Sequence, residues 1–180
     1  IVDGKSNLNF KTKDILINDG DIVDIADTIN TKASQTIKLE NLHVSRGWMD
    51  TSVCFGEPGF EERETISNGL ETAASSGFTS ILLNPNCDPA IDNHSSIEFL
   101  KRKSAETTTE IYPIGSLTNN SKGEELASLF DMKVAGAVAF GDYKQTVKDT
   151  SLLKISLEYS KTFGARIISF SQDDFCLLYT

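Results

Sequence analysis

The sequence predicts an α/β fold in which parallel β-strands alternate with helices. Over residues 43–180, short apolar runs of strand length alternate with longer segments whose apolar residues recur at a helical period. The connections are short, and a chain that returns to a parallel sheet needs a crossover helix. An open, doubly wound sheet and a (β/α)₈ barrel both fit this pattern. The five strands predicted here are too few to close a barrel, which takes roughly 250 residues.

The first 42 residues predict a β-hairpin and one further strand. Two β-branched runs, residues 14–17 and 22–25, flank a turn at 18–21 that contains an Asp-Gly pair, a strong short-range hairpin signal. Alternating side chains over residues 36–39 predict another strand. So few strands do not make a stack of sheets on their own.

From residue 43 onward the predicted elements follow in a regular order. They are strand 47–50, helix 61–76, strand 78–83, helix 92–103, strand 110–117, helix 122–132, strand 134–140, helix 149–163 and strand 166–170. Gly77 and Gly164 are placed to end the first and the last of these helices. Pro113 argues against a central position for its strand, because proline cannot donate a hydrogen bond to a neighbouring strand.

Both candidate folds place their functional residues in the loops that follow the strands. The loops that hold the candidate functional residues are therefore 50–59, 84–89, 116–120, 141–144 and 169–174.

Composition excludes several classes of function. The 180 residues carry 17 Lys and Arg against 26 Asp and Glu, a net charge of −9, and no basic block, so we expect no binding to nucleic acid. No run approaches the ~18 apolar residues of a membrane span, and no signal peptide is visible. Cys54, Cys87 and Cys176 are odd in number and form no C-x-x-C motif, which favours a reducing, cytoplasmic setting.

Histidine is scarce in the chain. The two histidines, His43 and His94, lie far apart and share no spacing typical of metal ligands. His43 precedes the first strand of the α/β region, and His94 lies where a helix begins, so we expect both to be structural. A metal centre built from several imidazoles is therefore short of ligands.

The loops carry a resemblance to a known family. Residues 47–66, GWMDTSVCFGEPGFEERETI, and the Asn-Pro-Asn run at 84–86 resemble the type I dihydroorotase family of cyclic amidohydrolases. Further stretches resemble motifs of the same family: GAVAFGD at 136–142, LEYSKTFG at 157–164 and ISFSQD at 168–173. The resemblance covers nearly the whole chain, hairpin included.

The resemblance implies a (β/α)₈ TIM-type barrel, of which about five βα units are present. It assigns residues 1–42 to part of the amidohydrolase β-sandwich domain and residues 43–180 to the N-terminal portion of the barrel. The chain starts at Ile1 without a methionine and stops just after an apolar run, residues 175–179. Because half a barrel leaves two parallel edges open, we expect further chain beyond this sequence or a partner over the edges.

The resemblance also implies a metal chemistry. Enzymes of the family attack or form a cyclic amide bond with zinc-bound hydroxide, which needs imidazole and carboxylate ligands at about 2 Å from the metal. In this sequence the family's histidine positions fall on Ser52, Cys54 and Phe170, so three imidazole ligands are absent. The carboxylate position of the fourth strand is retained as Asp142.

Two further positions concern the substrate. The arginine that pairs with the substrate carboxylate in the family falls on Gly56, whereas the asparagine of the loop after the second strand is retained as Asn86. Loss of a buried charge pair removes ~2–5 kcal/mol of binding free energy. The resemblance therefore leaves Gly56 and Asn86 as a vestigial substrate site.

These substitutions predict a degenerate, inactive dihydroorotase-like protein with no catalytic residue and no bound metal expected. The family reaction, in pyrimidine biosynthesis, hydrolyses dihydroorotate to carbamoyl aspartate. The hypothesis is a structural or regulatory subunit in a homo- or hetero-oligomer, and the resemblance implies aspartate carbamoyltransferase as the partner.

Two alternatives stay open. One is an active amidohydrolase with an altered metal site that uses Cys54, Asp142 and further ligands from the expected second half of the barrel. The other is a small-ligand binding module that reuses the barrel mouth with Asn86. The simplest structural expectations are a small buried hydrophobe for Cys54, a turn or a salt bridge for Asp142, and a backbone-shaping role for residues 57–59.

Overall fold

Two compact units make up the chain, Ile1–Arg46 and a second unit that starts at Gly47. The computed structural model describes residues 1–172 of the 180. The assignment of residues 1–42 to a β-sandwich domain stays a prediction.

The first unit contains the predicted hairpin. Strand β1 (Asp14–Asn18) pairs antiparallel with strand β2 (Asp21–Ala26). Asp19 and Gly20 connect them with positive φ angles of 51° and 89°, the backbone that a two-residue hairpin turn of this kind requires. The Asp-Gly pair therefore forms the predicted turn.

The second unit is a parallel sheet with helices between its strands. In the order in which they lie in the sheet, the strands are β3 (Trp48–Val53), β4 (Phe78–Leu83), β5 (Glu110–Gly115) and β6 (Ala139–Phe140). The helices are α1 (Ile66–Ser75), α2 (His94–Ser104) and α3 (Leu129–Ala135) between the strands, and α4 (Thr150–Lys161) after the last strand. This alternation confirms the predicted α/β class.

An apolar core joins the sheet to the helices. Side chains with at most 2% exposure come from both layers: Ile81 and Ile111 from the sheet, and Ile66, Leu70, Ile97, Leu100, Leu129 and Met132 from the helices. Burying one such side chain contributes about 1.5–3 kcal/mol. The core therefore fixes the strands, and with them the loops at their carboxyl ends.

The first helix of this unit starts later than predicted. Thr65 Oγ1 accepts a hydrogen bond from the Asn68 amide (3.3 Å), so the side chain caps the helix immediately before Ile66. Residues 61–64 are not helical, and they complete the loop that follows β3.

Four other predicted elements are wrong in extent. The structure has no strand at 36–39, a helix at Leu129–Ala135 in place of the predicted helix 122–132, only Ala139–Phe140 of the strand 134–140, and a single bridge at Ile167 in place of the strand 166–170. Gly136 explains one of these errors. With φ at 111° it ends α3 in the left-handed conformation, so Val134 belongs to the helix and not to the strand.

Pro113 lies within β5, between β4 and β6, so the objection to a central position is wrong. Its carbonyl oxygen accepts a hydrogen bond from the Val138 amide (3.0 Å). The N–H and C=O groups of one residue point to the same side of a strand, so the missing donor faces the connection that precedes β6. No ladder bond to β4 is lost.

Candidate functional site

The carboxyl ends of the four parallel strands lie along one edge of the sheet. We call this the carboxyl edge and define it by residues 52–59, 84–89, 116–118 and 142, which end or follow β3, β4, β5 and β6 respectively. Five of the six positions singled out from the sequence lie on it. The sixth, Phe170, follows the bridge that Ile167 makes with Phe140 of β6.

Asn84 ties the end of β4 to the end of β3. Its backbone amide donates to the carbonyl oxygen of Val53 (2.9 Å), and its side-chain Nδ2 lies 3.2 Å from the same oxygen. Nδ2 also lies 3.2 Å from Ser52 Oγ and 3.7 Å from Cys54 Sγ. Because a backbone carbonyl only accepts hydrogen bonds, the side-chain atom of Asn84 that faces the Val53 oxygen is the nitrogen donor and not the amide oxygen. Two candidate metal positions therefore face a hydrogen-bond donor.

Gly56 is buried in a tight loop after β3. Its amide donates to the carbonyl of Glu64, and its carbonyl accepts from the amide of Phe60, both at 2.9 Å. A Cβ atom built on Gly56 would lie 1.8 Å from the carbonyl oxygen of Phe60, so a larger residue would have to displace the backbone of this loop. Backbone therefore closes the position where the resemblance places the substrate-binding arginine.

Glu57 is a residue whose role sequence reasoning missed. Its Oε2 accepts from the Ile66 amide at the start of α1 (2.8 Å), and its Oε1 lies 3.1 Å from Lys103 Nζ on α2. The side chain thus joins the loop after β3 to two helices. The sequence did offer a signal, a carboxylate shortly before a predicted helix. Such a carboxylate can accept hydrogen bonds from the first helical amides, which lack partners within the helix.

Asn86 is partly buried in the loop after β4. Its Oδ1 atom is buried and, within residues 1–172, has no hydrogen-bond partner. A buried acceptor in this state is unfavourable by ~1–3 kcal/mol. Asn86 therefore has an acceptor that no group in the described residues uses.

Asp142 is 5% exposed, and both of its carboxylate oxygens accept hydrogen bonds. Oδ1 accepts from the backbone amides of Leu117 (2.9 Å) and Thr118 (3.0 Å), and Oδ2 accepts from Thr118 Oγ1 (2.5 Å). Its backbone carbonyl accepts from the Gln145 amide (2.7 Å) and so forms a turn. The side chain connects the loop after β6 to the loop after β5, a role beyond the expected turn or salt bridge.

The apolar side chain of Phe170 has no atom that can bind a metal ion. The residue is 38% exposed. Its carbonyl oxygen accepts a hydrogen bond from Thr146 Oγ1 (3.3 Å). The side chain therefore has no polar role at this position.

The cysteines differ in exposure. Cys54 is exposed at the end of β3, so the expectation of a buried hydrophobe is wrong. Burial raises the pKa of the Cys87 thiol to about 11, with a smaller effect from the Asp88 charge. Cys87 Sγ also donates to the carbonyl of Pro89 (3.3 Å). Cys176 lies outside the described residues.

The two histidines contact different parts of the chain, and His94 Nδ1 lies 3.1 Å from the carbonyl oxygen of Asp131 in α3. His94 is the first residue of α2, as expected, and its Nε2 lies 3.3 Å from Glu98 Oε1 on the same helix. His43 lies in the first unit, with its Nδ1 2.7 Å from the carbonyl of Asn41. Neither residue belongs to the carboxyl edge.

Comparison with known proteins decides the family. The family model described as "Dihydro-orotase-like" matches residues 42–177, about three quarters of the chain. The chain belongs to the dihydroorotase-like family.

Curated relatives of this dihydroorotase-like chain agree with the assignment. A dihydroorotase from Pelotomaculum thermopropionicum is 41% identical over 164 residues, which cover 91% of this chain and 38% of the relative. A dihydroorotase from Acetivibrio thermocellus is 39% identical over 174 residues, covering 96% of this chain and 41% of the relative. The chain thus spans about two fifths of the length of the curated relatives it matches.

Solved structures show the same fold. An L-hydantoinase (dihydropyrimidinase) from Arthrobacter aurescens matches with a TM-score of 0.73 at 20% identity, over 91% of this chain and 38% of that one. An adenine deaminase matches with a TM-score of 0.53 at 14% identity, over 88% and 47%. The curled parallel sheet and the hydantoinase likeness confirm the predicted fold, part of a (β/α)₈ TIM-type barrel.

The residues of this dihydroorotase-like chain do not fit the zinc that the family resemblance implies. The Asn84 amide donates toward Ser52 and Cys54, and Asp142 already accepts three hydrogen bonds. Among residues 1–172, no group of three or more His, Cys, Asp or Glu side chains is placed to hold a metal ion.

The helices over residues 1–172 were also compared with what a membrane span requires. None of them combines the length and the apolar character that crossing a bilayer needs.

Proposed function

We propose that this chain is a non-catalytic dihydroorotase-like protein of pyrimidine biosynthesis that serves as a structural or regulatory subunit. The relatives named dihydroorotase support the pathway. The carboxyl edge supports the loss of activity, because hydrolysis of a cyclic amide such as dihydroorotate needs a polarising group and a substrate clamp at this edge.

The observation that carries the proposal is the geometry at Gly56 and Asn84. One hydrogen-bond donor, Asn84 Nδ2, faces the predicted metal positions Ser52 and Cys54, and a backbone oxygen lies 1.8 Å from where a side chain at Gly56 would begin. Metal binding and substrate-carboxylate recognition are therefore both disfavoured at one end of the sheet.

Turnover and zinc content of the same preparation test the loss of activity. The assay follows hydrolysis of dihydroorotate and the reverse cyclisation of carbamoyl aspartate, in buffer with added zinc. We expect no turnover above the uncatalysed rate and far less than one zinc per chain. About one tightly bound zinc per chain together with turnover would establish the alternative, an active enzyme with an altered metal site.

The length of the chain requires a matched control for this assay. A chimera is made in which this chain replaces the matching segment of the Pelotomaculum dihydroorotase, so that the rest of that protein is supplied. We expect the chimera to fold and to remain inactive, whereas the intact relative turns over. An active chimera would overturn the proposal, because it would show that this chain supplies a working site.

The partner proposed for the subunit is aspartate carbamoyltransferase, by family resemblance. Sedimentation velocity of the mixed proteins at micromolar concentration tests it. We expect a complex that sediments faster than either protein alone. Separate sedimentation of the two would overturn the partner assignment and leave the loss of activity to be judged by turnover.

Asn86 favours a second candidate, a small-ligand binding module at the barrel mouth. Its Oδ1 has no hydrogen-bond partner within the described residues, so an amide N–H of a ligand that enters this loop would find an acceptor there. Thermal shifts with dihydroorotate in EDTA test this candidate. A shift in the native chain that is lost in Asn86→Leu would support it, and the absence of any shift would exclude dihydroorotate as the ligand.

A further inference from the structure

We infer that two hydrogen-bonded clasps hold the carboxyl edge together without a metal ion, one made by Asn84 across β3 and β4, the other by Asp142 across β5 and β6. The inference deepens the proposed function and rests on it, because it states what connects the strand ends of a chain whose donor set does not fit zinc. It assigns a positioning role to a carboxylate that the family resemblance places among metal ligands.

The Asn84 clasp has the opposite polarity to a metal site. A metal ion needs several lone pairs that converge on one point without a competing donor. At the end of β3, the Nδ2 donor of Asn84 lies 3.2 Å from Ser52 Oγ and 3.7 Å from Cys54 Sγ. The amide thus takes the place where lone pairs would otherwise converge on a cation.

The backbone fixes this arrangement. Both the amide and the side-chain Nδ2 of Asn84 bond to the carbonyl oxygen of Val53, at 2.9 and 3.2 Å. Rotating the side chain by half a turn would bring its own oxygen against that carbonyl. The clasp is therefore part of the β3–β4 junction and not a chance surface contact.

The Asp142 clasp satisfies two backbone amides that have no other partner in the described structure. Leu117 and Thr118 are 2% and 0% exposed, and their amides donate to Asp142 Oδ1. The Thr118 hydroxyl donates to Oδ2 and also accepts from the Gly123 amide at 2.8 Å. One buried carboxylate thus anchors the start of the connection from β5 toward α3.

Hydrogen exchange of the Leu117 and Thr118 amides tests the clasp, because these two groups report on the Asp142 carboxylate itself. The variant is Asp142→Asn, which replaces one acceptor oxygen with a donor. The matched control is Asp131→Asn, the same change at an exposed carboxylate that makes no side-chain hydrogen bond in the described structure. Both are made in the full chain, and exchange is measured with EDTA present.

We expect Asp142→Asn to lower protection of the two amides about tenfold or more relative to native chain and control. We expect its Tm to fall by roughly 4–10 °C. Thr118→Val, which removes only the hydroxyl, is the second variant if Asp142→Asn does not fold, and we expect a smaller loss at the same amides. Equal protection in Asp142→Asn and Asp131→Asn, or in Thr118→Val and the native chain, would overturn the inference.

The zinc and turnover measurements separate this inference from the proposed function. A zinc-free, inactive chain in which Asp142→Asn behaves like its control would overturn the clasp alone. A native chain that binds zinc and turns over dihydroorotate would overturn the proposed function and, with it, the statement that the edge needs no metal.

Discussion

The two ends of the carboxyl edge differ in what their polar side chains bind. At the β3–β4 end, where the resemblance places metal ligands, Ser52 and Cys54 are exposed and lie beside the Asn84 amide. At the β5–β6 end the carboxylate of Asp142 is retained, but it is buried and bonded to backbone amides. The two ends, to which the resemblance gives the same role, therefore differ in the polar partners of their side chains.

The largest expected effect is at the buried end. Asp142→Ala leaves the buried amides of Leu117 and Thr118 without their acceptor, so we expect a loss of ~3–5 kcal/mol in the free energy of unfolding. Urea unfolding measures it, with Asp131→Ala as the exposed control and an expected change within about 0.5 kcal/mol. A loss below about 1 kcal/mol at Asp142 would mean that the two ends do not differ.

Gly56 tests the β3–β4 end of the carboxyl edge, because a side chain added there would meet backbone. Its added Cβ meets the Phe60 carbonyl oxygen at 1.8 Å, so Gly56→Ala must displace backbone, and we expect a loss of ~2–3 kcal/mol. Gly4→Ala is the matched control, because no atom lies within 4 Å of its added Cβ. Equal unfolding midpoints for the two variants in urea would show that the loop can open to admit a side chain.

Asn84 sharpens the comparison because its clasp is only partly buried. Asn84→Ala removes the side-chain bonds to Val53, Ser52 and Cys54 but leaves the backbone bond, so we expect a loss of about 1 kcal/mol. Asn7→Ala, at an exposed position, is the control for urea unfolding. A loss as large as that of Asp142→Ala would mean that both clasps contribute equally to the free energy of unfolding, and it would contradict the ranking.

The cysteines give the smallest effect on stability and a clear effect on reactivity. The raised pKa of Cys87, about 11 against the ordinary 9.0, keeps this partly buried thiol protonated at pH 8, whereas Cys54 is exposed. We expect iodoacetamide to modify Cys54 much faster, as followed by peptide mapping of the native chain. Comparable rates at the two thiols would contradict the burial of Cys87.

The raised pKa of Cys87 also predicts that the free energy of unfolding falls at alkaline pH. The native state holds the Cys87 proton more tightly than the unfolded state does. The stabilisation that the protonated thiol contributes is therefore present below pH 9 and is lost as the pH rises toward 11. We expect Cys87→Ala to flatten the fall in unfolding free energy over this range. An unchanged slope would mean that another group causes the fall.

Sequence reasoning was most successful where a local signal and the tertiary structure agree. The Asp-Gly hairpin and the order of strands and helices follow from turn chemistry and periodicity. Residues 134–138 are small and apolar and fit a strand as well as a helix, so only the left-handed Gly136 separates the two. The prediction from Pro113 failed because the cost of a proline in a strand depends on whether its nitrogen faces a neighbouring strand or a connection.

The candidate site was predicted less completely than the fold. The resemblance located Ser52, Cys54, Gly56, Asn86, Asp142 and Phe170, and five of these lie on the carboxyl edge. The donors that bind them could not be read from the sequence, because Asn84, Leu117 and Thr118 carry no sign of the partners that folding brings to them. The Glu57 link to α1 and α2 depends in the same way on packing.

Zinc dependence of the unfolding free energy tests the central claim, that the carboxyl edge is held by hydrogen bonds and not by a metal. Urea unfolding of the native chain is compared in EDTA and in excess zinc. We predict free energies equal within about 0.5 kcal/mol. A specific site would add ~2.7 kcal/mol at a free zinc concentration one hundred times its Kd, and a zinc-dependent gain of that size would contradict the account.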